Sequence, residues 1–113
     1  MKINVSEVIN SNNASVRDNG LIVYEIAKKE LKKDENVEIS FEGITIVISS
    51  FLNAAIGKLY GDFSYEYVDQ HITINGLADD DLELLYETVI PNAKEYYANK
   101  EKVEIAERSV LGQ

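Results

Sequence analysis

The segment VEISFEGITIVISSFLNAAIGKL, from Val37 to Leu59, constrains the fold most, because a period-2 apolar pattern gives way within a few residues to a helix-length apolar run. Val37, Ile39 and Phe41 alternate with Glu38, Ser40 and Glu42, which predicts a strand with one wet face or an edge position. Gly43 turns the chain, and Ile44–Ile48 is too β-branched to favour a helix, so it reads as extended chain. Phe51, Leu52, Ala54, Ala55, Ile56 and Leu59 are then apolar nearly all round, predicting the most buried helix. Ser49 and Ser50 stand at the corner between the two patterns.

The remaining elements follow from the same periodicities. Ile3 and Val5 alternate within Lys2–Ile9, as in a short half-buried strand, and Asn10–Asn13 form a polar turn. A helix follows, capped by Asp18 or Asn19, with Leu21, Ile22, Val23, Ile26, Ala27 and Leu31 on one broad face and lysines in its last turns. Tyr60–Gln70 reads as loop or irregular extended chain. His71–Asn75 alternates again and predicts a third strand, closed by Gly76. Asp79 is placed to cap a helix whose inner stripe is Leu82, Leu85, Tyr86 and Val89. Pro91 predicts a kink or two consecutive helices, with Ala93, Tyr96 and Tyr97 continuing the stripe beyond it. From Asn99 to Gln113 the chain is charged, and Val103, Ile105, Ala106 and Val110 are weak docking residues in a frayed or disordered tail.

Strand, helix, strand, helix, strand, helix is the order of an α/β domain with a small mixed sheet and helices packed on it. At 113 residues and 45% apolar content the chain holds one core without staples. Its net charge of −9 repels phosphate backbones and anionic membranes, so neither nucleic acid nor a membrane is the expected partner. With no cysteine, disulfides and thiolate zinc sites drop out. The start, MKINVSEVINSNN, has no signal-peptide character, and a cytoplasmic protein is expected.

Candidate chemistry is sparse. One of Ser49 and Ser50 is expected to cap the apolar helix, with Asn53 at the third position if Ser50 is the cap. A phosphate on Ser49 would rest at the positive helix end and add about −1.5 to −2 charges to that surface. Tyr60, Tyr65 and Tyr67 form a group suited either to an interface or to local packing. His71 is the single histidine, so a serine nucleophile would depend on it as base. Asp79, Asp80 and Asp81 lack the alternation and glycine of a calcium loop and read as a solvated helix start rather than a metal site. No phosphate-binding glycine loop is present, and no cofactor is implied.

The segment EISFEGITIVISSFLNAAIGKLYGDF resembles the STAS-like domain of unknown function, a bacterial and phage-associated relative of the STAS domains of sulfate transporters and anti-sigma-factor antagonists. Arg17 and Gly20 match the start of that family's first helix, and Ile39, Phe41, Glu42, Gly43 and Ile44 match its strand-turn pattern. Ile48, Ser49, Ser50 and Phe51 match its serine turn loosely, Asn75 its strand ending in Asn, and Asn92, Ala93, Tyr96 and Tyr97 its last-helix pattern. The likeness spans about residues 15–98, and it implies a STAS-like domain over residues 1–99 followed by a charged tail over 100–113. In the antagonists a serine at the start of the second helix is phosphorylated by a histidine-kinase-like ATPase. Ser49 matches that position, with Ile48 in place of the usual preceding aspartate.

These readings combine into an expectation of a non-enzymatic regulatory module that binds a protein partner. The binding residues would be Ser49, Ser50, Asn53, Tyr60, Tyr65 and Tyr67, and Ser49 would be the phosphorylation site. The resemblance implies a histidine-kinase-like ATPase or an anti-sigma-type protein as partner. The rival readings are a small serine-dependent enzyme and a homo-oligomer joined through sheet edges or the tail.

Overall fold

Alternation in VEIS does produce a strand, but β3 (Val37–Ser40) is the middle one of three. It pairs in parallel with β1 (Lys2–Asn4) on one side and β5 (Ile72–Asn75) on the other, with Ile39 level with Ile3 and Ile74. A central position explains why Val37, Ile39 and even Ser40 are buried where one wet face or an edge was expected. The computed structural model describes the backbone of residues 1–111 and the side chains of residues 1–100.

Chain order sets the rest. After β1 come a single helical turn α1 (Val5–Val8), the short strand β2 (Asn13–Ala14) and the long helix α2 (Arg17–Leu31). Val5, Val8 and Ile9 lie at helical spacing, so the strand expected to reach Ile9 stops at Asn4. Beyond β3, strand β4 (Ile46–Val47) pairs in parallel with β2 as a separate two-stranded ribbon. The apolar helix α3 (Ser49–Ala55) continues into a 3-10 turn (Gly57–Gly61), followed by α4 (Tyr65–His71) and β5. The chain then runs through α5 (Asp79–Leu84), a π turn (Leu85–Val89) and α6 (Ile90–Leu111).

The α/β class and its alternation hold, and every strand pair is parallel rather than mixed, because each connection between paired strands carries a helix. Helix α3 is the centre of the core: Phe51, Leu52, Ala55 and Ile56 are all at most 1% exposed. Phe51 meets Phe41 edge-to-face with ring centroids 6.3 Å apart. Burying each such side chain contributes about 1.5–3 kcal/mol. Helix α2 lies across α3 at Gly20, where a Cβ would stand 2.8 Å from the Phe51 carbonyl oxygen, so only glycine permits this approach. Gly76 closes β5 at φ +82, and a Cβ there would stand 2.5 Å from the Glu42 nitrogen.

Several local expectations are corrected. Helix α2 begins at Arg17 behind Val16, with no side-chain cap from Asp18 or Asn19, and Ile22 is 46% exposed because the buried face turns toward Tyr24. Tyr60–Gln70 is mostly helical: the Ser64 hydroxyl accepts from the Tyr67 amide, and Val68 faces the core. The alternating tyrosines obscured that capped start. Helix α5 is preceded by Ala78 without a side-chain cap, so Asp79 is its first residue, and Tyr86 points outward. Pro91 does not break the chain. The π turn directly before it widens the helix where an i−4 hydrogen bond to proline is missing. Helix α6 runs unbroken past residue 100, while the side chains of Val103, Ile105, Ala106 and Val110 lie outside the described residues. No helix among the described residues is long and apolar enough to cross a membrane.

Candidate functional site

The ribbon of β2 and β4 delivers two helices to one face. Ile46 and Ile48 lie two apart on an extended chain and therefore point to the same side, and both are exposed, at 51% and 36%. Val47 between them packs against the core, level with buried Ala14. The Ile48 amide donates to the Ala14 carbonyl at 3.1 Å, which sets Val16, 51% exposed, beside the corner where α3 begins. Ser49 at that corner is exposed and Ser50 half-buried.

Neither serine caps α3. Ile48 occupies the cap position in extended conformation with no side-chain bond, and its carbonyl accepts from Phe51 and Leu52. The expected serine cap and its capping box with Asn53 are therefore absent: Ser49 and Ser50 are already the first two helical residues, one position too late to cap. Asn53, one turn beyond Ser49, is exposed on the same side of the helix.

The tyrosines lie apart from this surface and are consumed internally. Tyr60 is only 4% exposed, and its hydroxyl donates to Asp69 Oδ1 at 2.6 Å. Tyr65 donates to the Lys94 carbonyl at 2.5 Å and meets the Tyr60 ring edge-to-face. Tyr67 donates to the Leu31 carbonyl at 2.5 Å, a second donor beside the Asp34 amide at 3.0 Å at the C-terminal end of α2, and its hydroxyl also lies 3.1 Å from Asp34 Oδ1. These three residues were expected to join the serines in a partner surface. Their hydroxyls instead tie α4 and the 3-10 turn to neighbouring helices. Burial, reinforced by the Asp69 carboxylate, pushes the Tyr60 phenol far above its ordinary range, and burial likewise raises Tyr24 and Tyr97.

His71 joins the tyrosine group. Its ring stacks on Tyr67, Nδ1 lies 2.9 Å from the Tyr67 carbonyl and Nε2 lies 3.2 Å from Asp34 Oδ1. Asp34 follows the C-terminal end of α2, whereas Ser49 neighbours its N-terminal end. Fifteen helical residues separate those ends, about 22 Å. The serine–histidine pairing of a hydrolase is not assembled.

A cleft of about 350 Å³ opens where α2, α3 and α6 meet. Its floor is the small residues Ala54, Gly57 and Ala93, and its walls include Arg17, Asn53 and Lys58 on one side and Asn92, Tyr96 and Tyr97 on the other. Of these, the sequence reading had assigned only Asn53 to a binding surface. The signal was nonetheless present, since Arg17, Asn92, Ala93, Tyr96 and Tyr97 are all residues that carried the family resemblance.

A parallel sheet covered by helices, with the most buried helix launched from a serine corner, defines a STAS-like α/β domain. The family model for the STAS-like domain of unknown function (DUF4325) matches residues 19–82, and the chain belongs to that family. No curated protein and no solved structure gives a significant match.

Proposed function

We propose that this domain is a non-enzymatic regulatory module that binds a protein partner through the mouth of α3, with Ser49 as the residue at which phosphorylation switches binding. The observation that carries this reading is the exposed, uncommitted Ser49 hydroxyl flanked by exposed Val16, Ile46 and Ile48. Large apolar side chains grouped around a free hydroxyl suit a contact surface that desolvates on association. The surface comprises Ser49, Ser50 and Asn53 with those three apolar neighbours, and the tyrosines support it only by holding the fold.

A phosphate on Ser49 would place about −1.5 to −2 charges among the apolar contacts and penalise an apolar partner face. The family resemblance favours a histidine-kinase-like ATPase or an anti-sigma-type protein in the partner role. Peptide mass spectrometry of the protein from its native cell, with and without phosphatase treatment, tests the switch. A phosphate on Ser49 is the expected result, and an unmodified Ser49 under all growth conditions would remove the switch.

A homo-oligomer is the second reading, favoured by the outer edges of β1 and β5, which no strand pairs among the described residues. Size-exclusion chromatography with light scattering distinguishes it: the partner-binding module elutes as a monomer.

A further inference from the structure

From the cleft between α2, α3 and α6 we infer a second site, which shares only Asn53 with the α3 mouth: it binds a small organic anion, one bearing a carboxylate or phosphate on a compact apolar or aromatic body. This goes beyond partner binding at the mouth of α3 and does not depend on it.

Charge is the first ground. The chain carries 20 acidic residues, yet among the described residues no carboxylate lines this cleft, and two cations, Arg17 and Lys58, do. Among the described residues neither cation makes an ion pair, whereas Lys2, Lys28, Lys33 and Lys94 are each matched to a carboxylate. Lys58 instead stands 4.8 Å over the Tyr24 ring, a contact that brings no carboxylate to its ammonium. Asp62, which lines a neighbouring concavity with Lys58, is already engaged by Lys28 at 3.5 Å and by the Tyr24 hydroxyl. In a protein whose overall field repels anions, two unmatched cations on one concavity form a local exception.

Shape and chemistry are the second ground. The floor is built from side chains no larger than methyl: a Cβ on Gly57 would sit 3.4 Å from Ala93 and 3.5 Å from Asn53 Oδ1. Those are ordinary contact distances, so the floor has room for a methyl group and would be filled by anything larger. A volume of about 350 Å³ is that of a small-ligand pocket rather than a protein groove. The amides of Asn53 and Asn92 add donors beside the cations, and Tyr96 and Tyr97, edge-to-face at 4.9 Å, add ring surface for the body of a ligand. Arginine suits the planar, two-oxygen face of carboxylate or phosphate.

The test is a titration of the full-length, isotope-labelled chain followed by amide NMR, with phenyl phosphate, benzoate, inorganic phosphate and phenol as separate probes. Phenyl phosphate or benzoate should give saturable shifts at Asn53, Gly57 and Ala93 with a Kd of about 1 mM or tighter. Inorganic phosphate and phenol should each bind at least about tenfold more weakly, because each supplies one half of the ligand. Arg17→Gln and Lys58→Gln should each weaken phenyl phosphate binding about tenfold while leaving the melting curve unchanged. The inference is overturned if no probe gives saturable shifts at these amides, if both variants bind phenyl phosphate as wild type does, or if inorganic phosphate binds as tightly as phenyl phosphate. Ile46→Ser, at the α3 mouth and outside the cleft lining, should leave this titration unaltered, so failure here and failure of the partner surface are separable.

Discussion

Two polar regions of this domain look alike in sequence and differ in what their side chains have left to offer. Around Tyr60, Tyr65, Tyr67 and His71 each hydroxyl and ring nitrogen already has a partner, three of them helix carbonyls. Around Ser49, Asn53, Arg17 and Lys58, no side-chain hydrogen bond or ion pair is made among the described residues. The first region spends its polar groups on holding helices together, and the second leaves them unspent among the described residues. Substitutions should therefore divide cleanly between loss of stability and loss of binding.

The largest effect belongs to Tyr60→Ala, which removes a buried ring and its bond to Asp69. It should lower unfolding free energy by about 3–5 kcal/mol in urea titration, with binding of the folded fraction at the α3 mouth unchanged. Tyr67→Phe keeps the ring but removes one of the two donors to the Leu31 carbonyl, leaving the Asp34 amide, and should cost about 0.5–1.5 kcal/mol. Hydrogen exchange should place that loss in the last turn of α2. An unchanged melt for either variant would blur the contrast between the regions.

The same contrast has a pH form. Phenols raised by burial stay neutral in the fold while their unfolded counterparts lose a proton near pH 10.0. Their stabilisation is whole below that pH and drains as pH climbs toward the folded values. Unfolding free energy should fall with rising pH above about 10, and the fall should be shallower in Tyr60→Phe. Equal slopes for the two proteins would mean that Tyr60 is not held neutral by the core.

Smallest in stability is Ser49→Asp, expected within about 0.5 kcal/mol of wild type because the side chain is exposed and a carboxylate suits the start of a helix. Its effect should appear in binding alone.

Sequence reading recovered the strands at β3 and β5 and the buried α3 because their apolar periods are long and unbroken. It missed α4, since Tyr65 and Tyr67 imitate strand alternation over a helix of only seven residues. It placed the cap at Ser49 or Ser50, one position or more too late, because the choice between cap and first helical position turns on one residue's backbone angle, which Ile48 takes here. The cleft was legible only as scattered motif residues. Arg17 and Asn92 lie at opposite ends of the chain, and only the approach of α2 and α6 to α3 brings them to one cavity. The tyrosine hydroxyls were the hardest to read, because a surface phenol and one bonded to a distant helix carbonyl have the same local sequence.

The most direct test of the central claim is quantitative affinity capture from the native cell with wild type, Ser49→Asp and Tyr67→Phe as parallel baits. The account predicts one protein retained by wild type and Tyr67→Phe and lost from Ser49→Asp. Equal retention by Ser49→Asp, or loss from Tyr67→Phe alone, would contradict it.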